Sequence, residues 1–190
     1  MMRRIDFNKY LKPDVPVIGG GVISNDLSSM ISHKEKMIEV IKSVEPGKTV
    51  HWCSDGAWSM HDLLIGLLGL TGPADVYISS YAMGETPARV IARLKNEGLI
   101  KMLYCVLDNR VDVRTAGSLQ LIKGIADKYA LIDTHAKVTL LLNDEFTVSV
   151  VGSANYTENE RYEAGIITMD STAFKLHQNW INHELNRDNG

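Results

Sequence analysis

The sequence is poor in cysteine and has no long apolar run. Only two cysteines, Cys53 and Cys105, occur among 190 residues, and each lies in an apolar, strand-like stretch. So few cysteines exclude a disulfide-stapled scaffold, and buried free thiols in a reducing compartment are the favoured interpretation. The most apolar stretch, residues 63–70, is far shorter than the roughly 20 residues of a membrane-spanning helix. The sequence therefore predicts a protein that does not cross a membrane.

An excess of positive charge is also missing. The formal net charge is −3 and the pI is about 6.1, which disfavours extensive electrostatic wrapping of nucleic acid but leaves a local basic groove open. The first residues are basic, but Asp6, Asn8 and Lys9 come directly after them, so the apolar centre of a signal peptide is absent. We therefore expect a cytoplasmic protein.

What the sequence does contain is an ordinary globular composition, with 45% hydrophobic and 23% charged residues. A chain of this length suits one domain with its own core. Residues 1–25, which contain two prolines and the glycine run at 19–21, are interpreted as an N-terminal arm, and residues 26–190 as a single domain. The glycine run lacks the spacing of a dinucleotide-binding loop.

Strands and helices alternate through the middle of the chain. Strands are predicted at 49–54, 74–81 and 100–108, and helices at 60–70, 86–97 and 118–129. Such alternation is typical of βαβ units. After Tyr129 several short β-runs come one after another, and a last helix begins near Ser171. The pattern predicts an α/β domain with a mixed, largely parallel β-sheet flanked by helices on both faces.

Polar residues occupy the ends of two adjoining apolar strands. In the stretch THAKVTLLLNDEFTVSVVGSANYTENERYEAG, His135 and Lys137 open one strand, and Ser153 and Asn155 close the next. Residues two apart on a strand share a face, so each pair projects together. The NDE turn predicts a hairpin, which places the start of one strand beside the end of the other. Gly152 keeps this region small enough for a ligand to approach the backbone.

These side chains match the needs of phosphodiester cleavage. That reaction requires a nucleophile, positive charge on the phosphate oxygens and neutral donors. His135 can attack phosphorus, Lys137 can neutralise charge, and Ser153 and Asn155 can donate hydrogen bonds. Glu163, which opens the next strand, can orient an imidazole. A single strand histidine is more often structural and a nearby lysine is usually solvated, but the complete set favours a functional site.

The order HAK, GSAN and YEAG resembles the phospholipase D superfamily, whose signature is H-x-K followed by G-S-x-N. The resemblance covers roughly residues 48–170 and is closest to the small nuclease-like members. It implies a phospholipase D-like domain in which His135 forms a phosphohistidine intermediate. It also implies that Lys137 and Asn155 bind the phosphate, that Ser153 supports the site, and that Glu163 is the acidic residue found after G-S-x-N.

The chain departs from this family in two respects. The aspartate that usually follows the lysine by five positions is replaced by Leu142, with Asp144 and Glu145 nearby. The family mechanism also uses two histidines, whereas this chain has one H-x-K motif. A two-fold homodimer would bring the two His135 side chains to one shared site, and we therefore predict a homodimer with the active site at its interface.

Loops at the ends of the three parallel strands supply candidate substrate contacts, because ligands gather at the carboxyl ends of strands in open α/β sheets. Arg110 and Arg114 are interpreted as phosphate contacts, and Tyr81 or Trp58 as stacking surfaces. The alternative for each is a solvated arginine or a core aromatic.

No metal site or cofactor is predicted. The four side chains that suggest metal binding do not have a standard zinc spacing; they are His51, Cys53, Asp55 and His61.

The leading hypothesis from the sequence is a metal-independent phosphodiesterase, an endonuclease that cleaves nucleic acid through a phosphohistidine. A smaller phosphodiester remains open as substrate, and no stretch suggests membrane lipid. The alternative is an inactive module that binds phosphate or nucleic acid on the same fold. Leu142 and the acidic pI favour that alternative.

Overall fold

One mixed β-sheet with helices on both faces forms the described part of the chain. A computed structural model describes residues 21–22, 34–111, 115–158 and 160–187. The strands are β1 (Gly21–Val22), β2 (Thr49–Ser54), β3 (Ala74–Ser80), β4 (Ile100–Asp108), β5 (Lys128–Ile132), β6 (Val138–Leu142), β7 (Thr147–Gly152) and β8 (Glu163–Thr168). The helices are α1 (Lys34–Lys42), α2 (Met60–Thr71), α3 (Glu85–Asn96), α4 (Ala116–Ile125) and α5 (Ser171–Leu185).

The strand order is β1-β2-β8-β7-β6-β3-β4-β5. The β3–β4 and β4–β5 pairs are parallel, and the other described pairs are antiparallel. These pairings make β2, β3, β4, β5 and β7 run in one direction, so their carboxyl ends lie together with the amino ends of β6 and β8. We call this end of the sheet the rim. The α/β class, the mixed sheet and the helices on both faces are confirmed.

The core lies on both faces of the sheet. On one face, helices α1 to α4 cover buried residues such as Val50, Ile78 and Leu103. On the other face, α5 places Phe174 and Ile181 against the strands, and both side chains are almost fully buried. Because both faces are covered, β3 and β4 are apolar on both sides, which explains their continuous hydrophobic runs.

Local sequence signals set several element boundaries. Ser59 caps α2, because its backbone N–H donates to Asp62 Oδ2 at 3.1 Å and its hydroxyl donates to the same oxygen at 3.0 Å. Gly98, with φ of 75°, makes the turn from α3 into β4. The predicted strand at 49–54 has the bounds of β2.

Two predicted boundaries differ from the structure. Helix α3 begins at Glu85 and ends at Asn96, one residue before the predicted bounds of 86–97 at each end; Pro87 lies in its first turn, where an N–H would lack a helical partner. The helix predicted to continue to Tyr129 ends at Ile125, and Lys128 and Tyr129 belong to β5. Residues 128 and 129 adopt a strand conformation because β5 pairs with β4, and Tyr129 lies opposite Cys105 in the parallel ladder.

Much of the predicted N-terminal arm, residues 1–25, lies outside the described residues. Within the arm, Gly21 and Val22 form the short strand β1 against β2. Both cysteines are free thiols; Cys105 is buried and Cys53 is partly exposed. Within the described ranges, no helix has the length and apolar character needed to cross a membrane.

Candidate active site at the rim of the sheet

His135 and Lys137 lie in the loop that leads into β6. The two residues precede the strand rather than belonging to it, yet their side chains meet: Lys137 Nζ lies 3.1 Å from His135 Nδ1. Lys137 Nζ also donates to the carbonyl oxygen of His135 at 2.7 Å. The predicted convergence is therefore present, although a loop and not strand alternation produces it. His135 is exposed at the rim and Lys137 is partly buried.

Ser153 and Glu163 form a second pair at the rim. Ser153 directly follows β7, and its hydroxyl donates a short hydrogen bond to Glu163 Oε2. The same hydroxyl oxygen accepts from the backbone N–H of Ala164 at 3.0 Å, and Ser153 N–H donates to the Ala164 carbonyl at 2.9 Å. The serine is thus fixed to the first residues of β8, and its proton is held by the carboxylate.

Asn155 is held by the end of β3. Ser80, fully buried at the last position of that strand, donates its hydroxyl proton to the Ala82 carbonyl at 2.7 Å, and the same hydroxyl oxygen lies 3.3 Å from Asn155 Oδ1 and accepts from the N–H of Tyr156 at 3.3 Å. The Tyr156 carbonyl accepts from Gly84 N–H at 2.7 Å. Asn155 therefore lies beside the buried end of β3, and its side-chain amide is a group that can donate to a ligand.

Two facing glycines bring β7 and β8 together beneath these residues. Gly152 lies opposite Gly165, and the Trp52 indole packs across the pair. A Cβ on Gly152 would lie 2.7 Å from the Ala164 carbonyl oxygen and 3.0 Å from Trp52 Cζ2. The glycine in the GSAN motif is therefore required by protein packing, whereas the sequence suggests that it leaves space for a ligand.

Tyr81 joins the candidate nucleophile to Arg110. The Tyr81 and His135 rings lie 4.8 Å apart between centroids at an interplanar angle of 53°. Arg110 Cζ lies 4.7 Å from the Tyr81 centroid, and Lys137 Nζ lies 5.4 Å from it. The predicted substrate contacts Tyr81 and Arg110 are therefore neighbours of His135. Arg114 lies outside the described residues.

Asp108 is the site residue that the sequence interpretation misses. It ends β4 with its side chain fully buried, and it accepts from Arg110 Nε at 2.6 Å, Arg110 Nη2 at 2.9 Å and Thr134 N–H at 3.1 Å. Hydrogen bonds from Arg110 hold the pKa of this carboxyl well below its usual range, against the effect of burial. Its position at the carboxyl end of a parallel strand is the sequence signal that could have found it.

Opposing effects act on the Lys137 ammonium. Partial burial lowers the pKa of Lys137, while the Glu163 and Asp108 carboxylates act to raise it. These two carboxylates come from different sides of the rim. The backbone joins the two halves of the predicted set, because the N–H of Gly152, directly before Ser153, donates to the carbonyl oxygen of Lys137 at 3.3 Å.

Leu142 lies far from these groups. It ends β6 at the opposite end of the sheet, where it pairs with Asp75 of β3 and Thr147 of β7. Five residues of extended chain separate it from Lys137, roughly 17 Å. Asp144 and Glu145 occupy the turn beyond it. The departure from the family signature at this position therefore does not alter the groups at the rim.

A small cavity of about 10 Å³ adjoins the site. Trp52 and Trp58 line it together with Asn155, Arg161 and Glu163. Trp58 is buried, with its ring 5.1 Å from that of Trp52, so it presents no open stacking face. Across the part of the chain that the structure describes, no three histidine, cysteine or acidic side chains are grouped to hold a metal ion.

Comparison with known proteins gives structural likeness only. The crystal structure of polyphosphate kinase from Porphyromonas gingivalis superposes with a TM-score of 0.53 at 12% identity, over 74% of this chain and 27% of that chain. TrmBL2, an archaeal chromatin protein whose structure shows a novel mode of DNA binding, superposes with a TM-score of 0.42 at 14% identity, over 79% of this chain and 58% of that chain.

This chain thus spans about a quarter of the polyphosphate kinase and rather more than half of TrmBL2. No family model matches the sequence, and no curated protein gives a significant match. At 12% identity the likeness to polyphosphate kinase concerns the fold alone. That fold is an α/β domain consistent with a phospholipase D-like architecture.

Proposed function

We propose that this protein is a metal-independent phosphodiesterase that cleaves nucleic-acid phosphodiester bonds through a phosphohistidine at His135. The observation that carries the proposal is the meeting of three chain segments at one rim. The loop before β6 supplies His135 and Lys137, the end of β7 supplies Ser153 and Asn155, and the start of β8 supplies Glu163. An imidazole, an ammonium and the neutral amide donor of Asn155 are groups that such cleavage needs, while the Ser153 hydroxyl is bound to Glu163.

The Lys137–His135 contact suggests how substrate prepares the nucleophile. A charged ammonium cannot accept a hydrogen bond, so His135 Nδ1 accepts at the 3.1 Å contact and the proton of the neutral ring resides on Nε2. When a phosphate oxygen binds the ammonium, Nδ1 is released to carry the proton. Nε2 then presents its lone pair to phosphorus. Substrate binding and activation of the imidazole are thereby coupled.

In the first step Nε2 forms a bond to phosphorus and the bond to the leaving oxygen breaks. That oxygen takes a proton from a general acid, and a water molecule then attacks phosphorus, returns a proton to the same group and releases His135. The chain offers one H-x-K motif, so we propose that the general acid is His135 of a second copy in a two-fold homodimer. Proton transfer of this kind contributes about 10²- to 10⁴-fold to rate.

The shape of the site supports a polymeric substrate. His135 and Ser153 are exposed at the rim, so a phosphate within a longer strand can reach them without entering an enclosed cavity. Lys137 and Arg161 supply local positive charge near that surface, despite the net charge of −3. Two positive charges are compatible with contacts to only a few phosphates.

The direct test is hydrolysis of bis(p-nitrophenyl) phosphate and of single- and double-stranded DNA and RNA in the presence of EDTA. We expect cleavage by the wild-type protein, and loss of at least about 10³-fold in His135→Ala because the nucleophile is gone. Lys137→Ala should lose about 10²-fold or more, since charge stabilisation at the phosphate is removed. Protein denatured with detergent at alkaline pH, where a phosphohistidine is stable, should retain a labelled phosphoryl group in wild type and not in His135→Ala.

Matched controls are His183→Ala and Lys101→Ala, which replace an exposed histidine and an exposed lysine away from the rim. Both should cleave like the wild type. Absence of cleavage with intact binding of tungstate or DNA would assign the chain to the alternative, an inactive module that binds phosphate. Absence of both cleavage and binding would leave the phospholipase D-like fold without this function.

A further inference from the structure

We infer that Asp108, Arg110 and Tyr81 form a positioning array that holds His135 in its reactive orientation, an inference that rests on the proposed function. We call these three residues the array. His135 needs such support because it precedes β6, so no ladder hydrogen bond of the sheet fixes it, and its side chain is exposed. A reacting group displaced by 1 Å can lose about 10²-fold in rate.

The first connection from the array to His135 runs through the backbone. Asp108 Oδ2 accepts from the N–H of Thr134, the residue directly before His135, at 3.1 Å. Thr134 Oγ1 in turn accepts from the N–H of Ala136, directly after His135, at 3.2 Å. Asp108 therefore holds the backbone at Thr134, and the Thr134 hydroxyl closes a local turn around His135 by binding the N–H of Ala136.

The second connection runs through side chains. Both oxygens of Asp108 bind the Arg110 guanidinium, which fixes the plane of that group. The fixed guanidinium lies over the Tyr81 ring at 4.7 Å, and the Tyr81 ring contacts the His135 imidazole with centroids 4.8 Å apart. Cation–π attraction between the guanidinium and the ring favours this stack.

These contacts also reassign Arg110. The sequence suggests that Arg110 binds phosphate, but its charge is matched by buried Asp108 and by Asp133, whose carboxylate lies 3.2 Å from Nη2. Tyr81 likewise already contacts Arg110, His135 and Lys137. Both residues therefore act on the substrate through His135 and are positioning residues.

The test compares Tyr81→Leu, which removes the ring, with Tyr81→Phe, which keeps it. Two quantities are measured: kcat and KM for bis(p-nitrophenyl) phosphate, and the His135 ring resonances in ¹H–¹³C NMR spectra, assigned with His135→Gln. We expect Tyr81→Leu to lower kcat by about 10²-fold with little change in KM, because orientation and not binding is lost. The His135 resonances should move in Tyr81→Leu and remain near their wild-type positions in Tyr81→Phe.

Arg110→Gln extends the test to the inner part of the array and should move the same resonances. Tyr129→Leu is the control, since Tyr129 is an exposed tyrosine on β5 that contacts Lys123 and not the rim. Unchanged His135 resonances and unchanged kcat in both Tyr81→Leu and Arg110→Gln would overturn the inference. If the wild type has no activity, the proposed function fails, while the His135 resonances in Arg110→Gln, which keeps the Tyr81 ring and its ring-current shift, still decide whether the array holds His135.

Discussion

At the residue scale, the rim combines a buried carboxylate with an exposed imidazole. Asp108 is the one fully buried acidic side chain among the described residues, and it is compensated by a bidentate arginine and by the backbone N–H groups of Arg110 and Thr134. A buried charge without such partners would be strongly unfavourable. These hydrogen bonds make Asp108 important for stability as well as for positioning, and its contribution to stability should depend on pH.

Replacing Asp108 with Asn should destabilise the fold in a pH-dependent manner. At pH 7 we expect a loss of roughly 1.5–3 kcal/mol, the usual value of hydrogen bonds to a charged group. Because the folded-state pKa of Asp108 is lowered, its contribution is fully present above the unfolded pKa of about 3.9 and is lost as pH falls below it toward the folded value. Urea unfolding between pH 7 and pH 3 measures this difference.

The control for this prediction is Asp133→Asn, which removes an exposed carboxylate from the same arginine. A surface pair of this kind should contribute less than about 1 kcal/mol. A difference between wild type and Asp108→Asn that stayed constant from pH 7 to pH 3 would mean that the charge of Asp108 is not what stabilises the fold.

How far the site can be predicted also differs residue by residue. His135 and Lys137, and likewise Ser153 and Asn155, are close in sequence, so motif spacing is sufficient to group them. Asp108 reaches Thr134 across the β4–β5 pair, a contact between residues far apart in the chain. No local sequence pattern predicts the contact between Asp108 and Thr134. The one indication of a role for Asp108 is its position at the carboxyl end of a parallel strand.

At the element scale, close packing of β7 and β8 depends on two glycines. A Cβ on Gly165 would lie 2.5 Å from the Val151 carbonyl oxygen and 2.6 Å from Trp52 Cζ2. Gly165→Ala should therefore destabilise the protein by about 1–3 kcal/mol through overpacking. It should also lower phosphodiesterase activity, because Ser153 and Glu163 meet across these two strands. Urea unfolding and kcat measure the two effects.

Gly69→Ala is the matched control. Gly69 is exposed in α2, and a Cβ there would meet no atom within 4 Å. Replacing a helical glycine with alanine should stabilise by roughly 0.5–1 kcal/mol. Equal stability of the two variants would show that Trp52 and the β8 backbone can move aside, and that the glycine pair is not a constraint.

The elements themselves are predictable where local pattern and tertiary context agree. Strand β2 has the predicted bounds because alternating residues meet one covered face of the sheet. The sequence places Lys128 and Tyr129 in a helix because they continue a helical pattern. Their strand conformation comes from pairing with β4, which competes with helix propensity only in the folded molecule.

At the scale of the whole molecule, the directions of the strands bring the residues of the candidate site together at the rim. The parallel strands β3 and β4 end at the rim with Ser80 and Asp108, while the antiparallel strands β6 and β8 begin there with the loop of His135 and with Glu163. Alternation of strands and helices predicts the parallel part of this arrangement. The pairing of β6 with β7 agrees with the predicted hairpin, but the placement of β8 beside β2 depends on long-range pairing.

The last prediction concerns assembly. If two copies share one site, each dimer needs both His135 side chains, and light scattering should give twice the 21.1 kDa mass of one chain. When equal amounts of wild-type protein and His135→Ala are refolded together, activity per total protein should fall to about a quarter of the wild-type value, because only dimers with two wild-type chains work. A monomeric enzyme would keep half. Activity that falls in proportion to the wild-type fraction, or a 21.1 kDa species with full activity, would contradict the shared site and would require a general acid from within one chain.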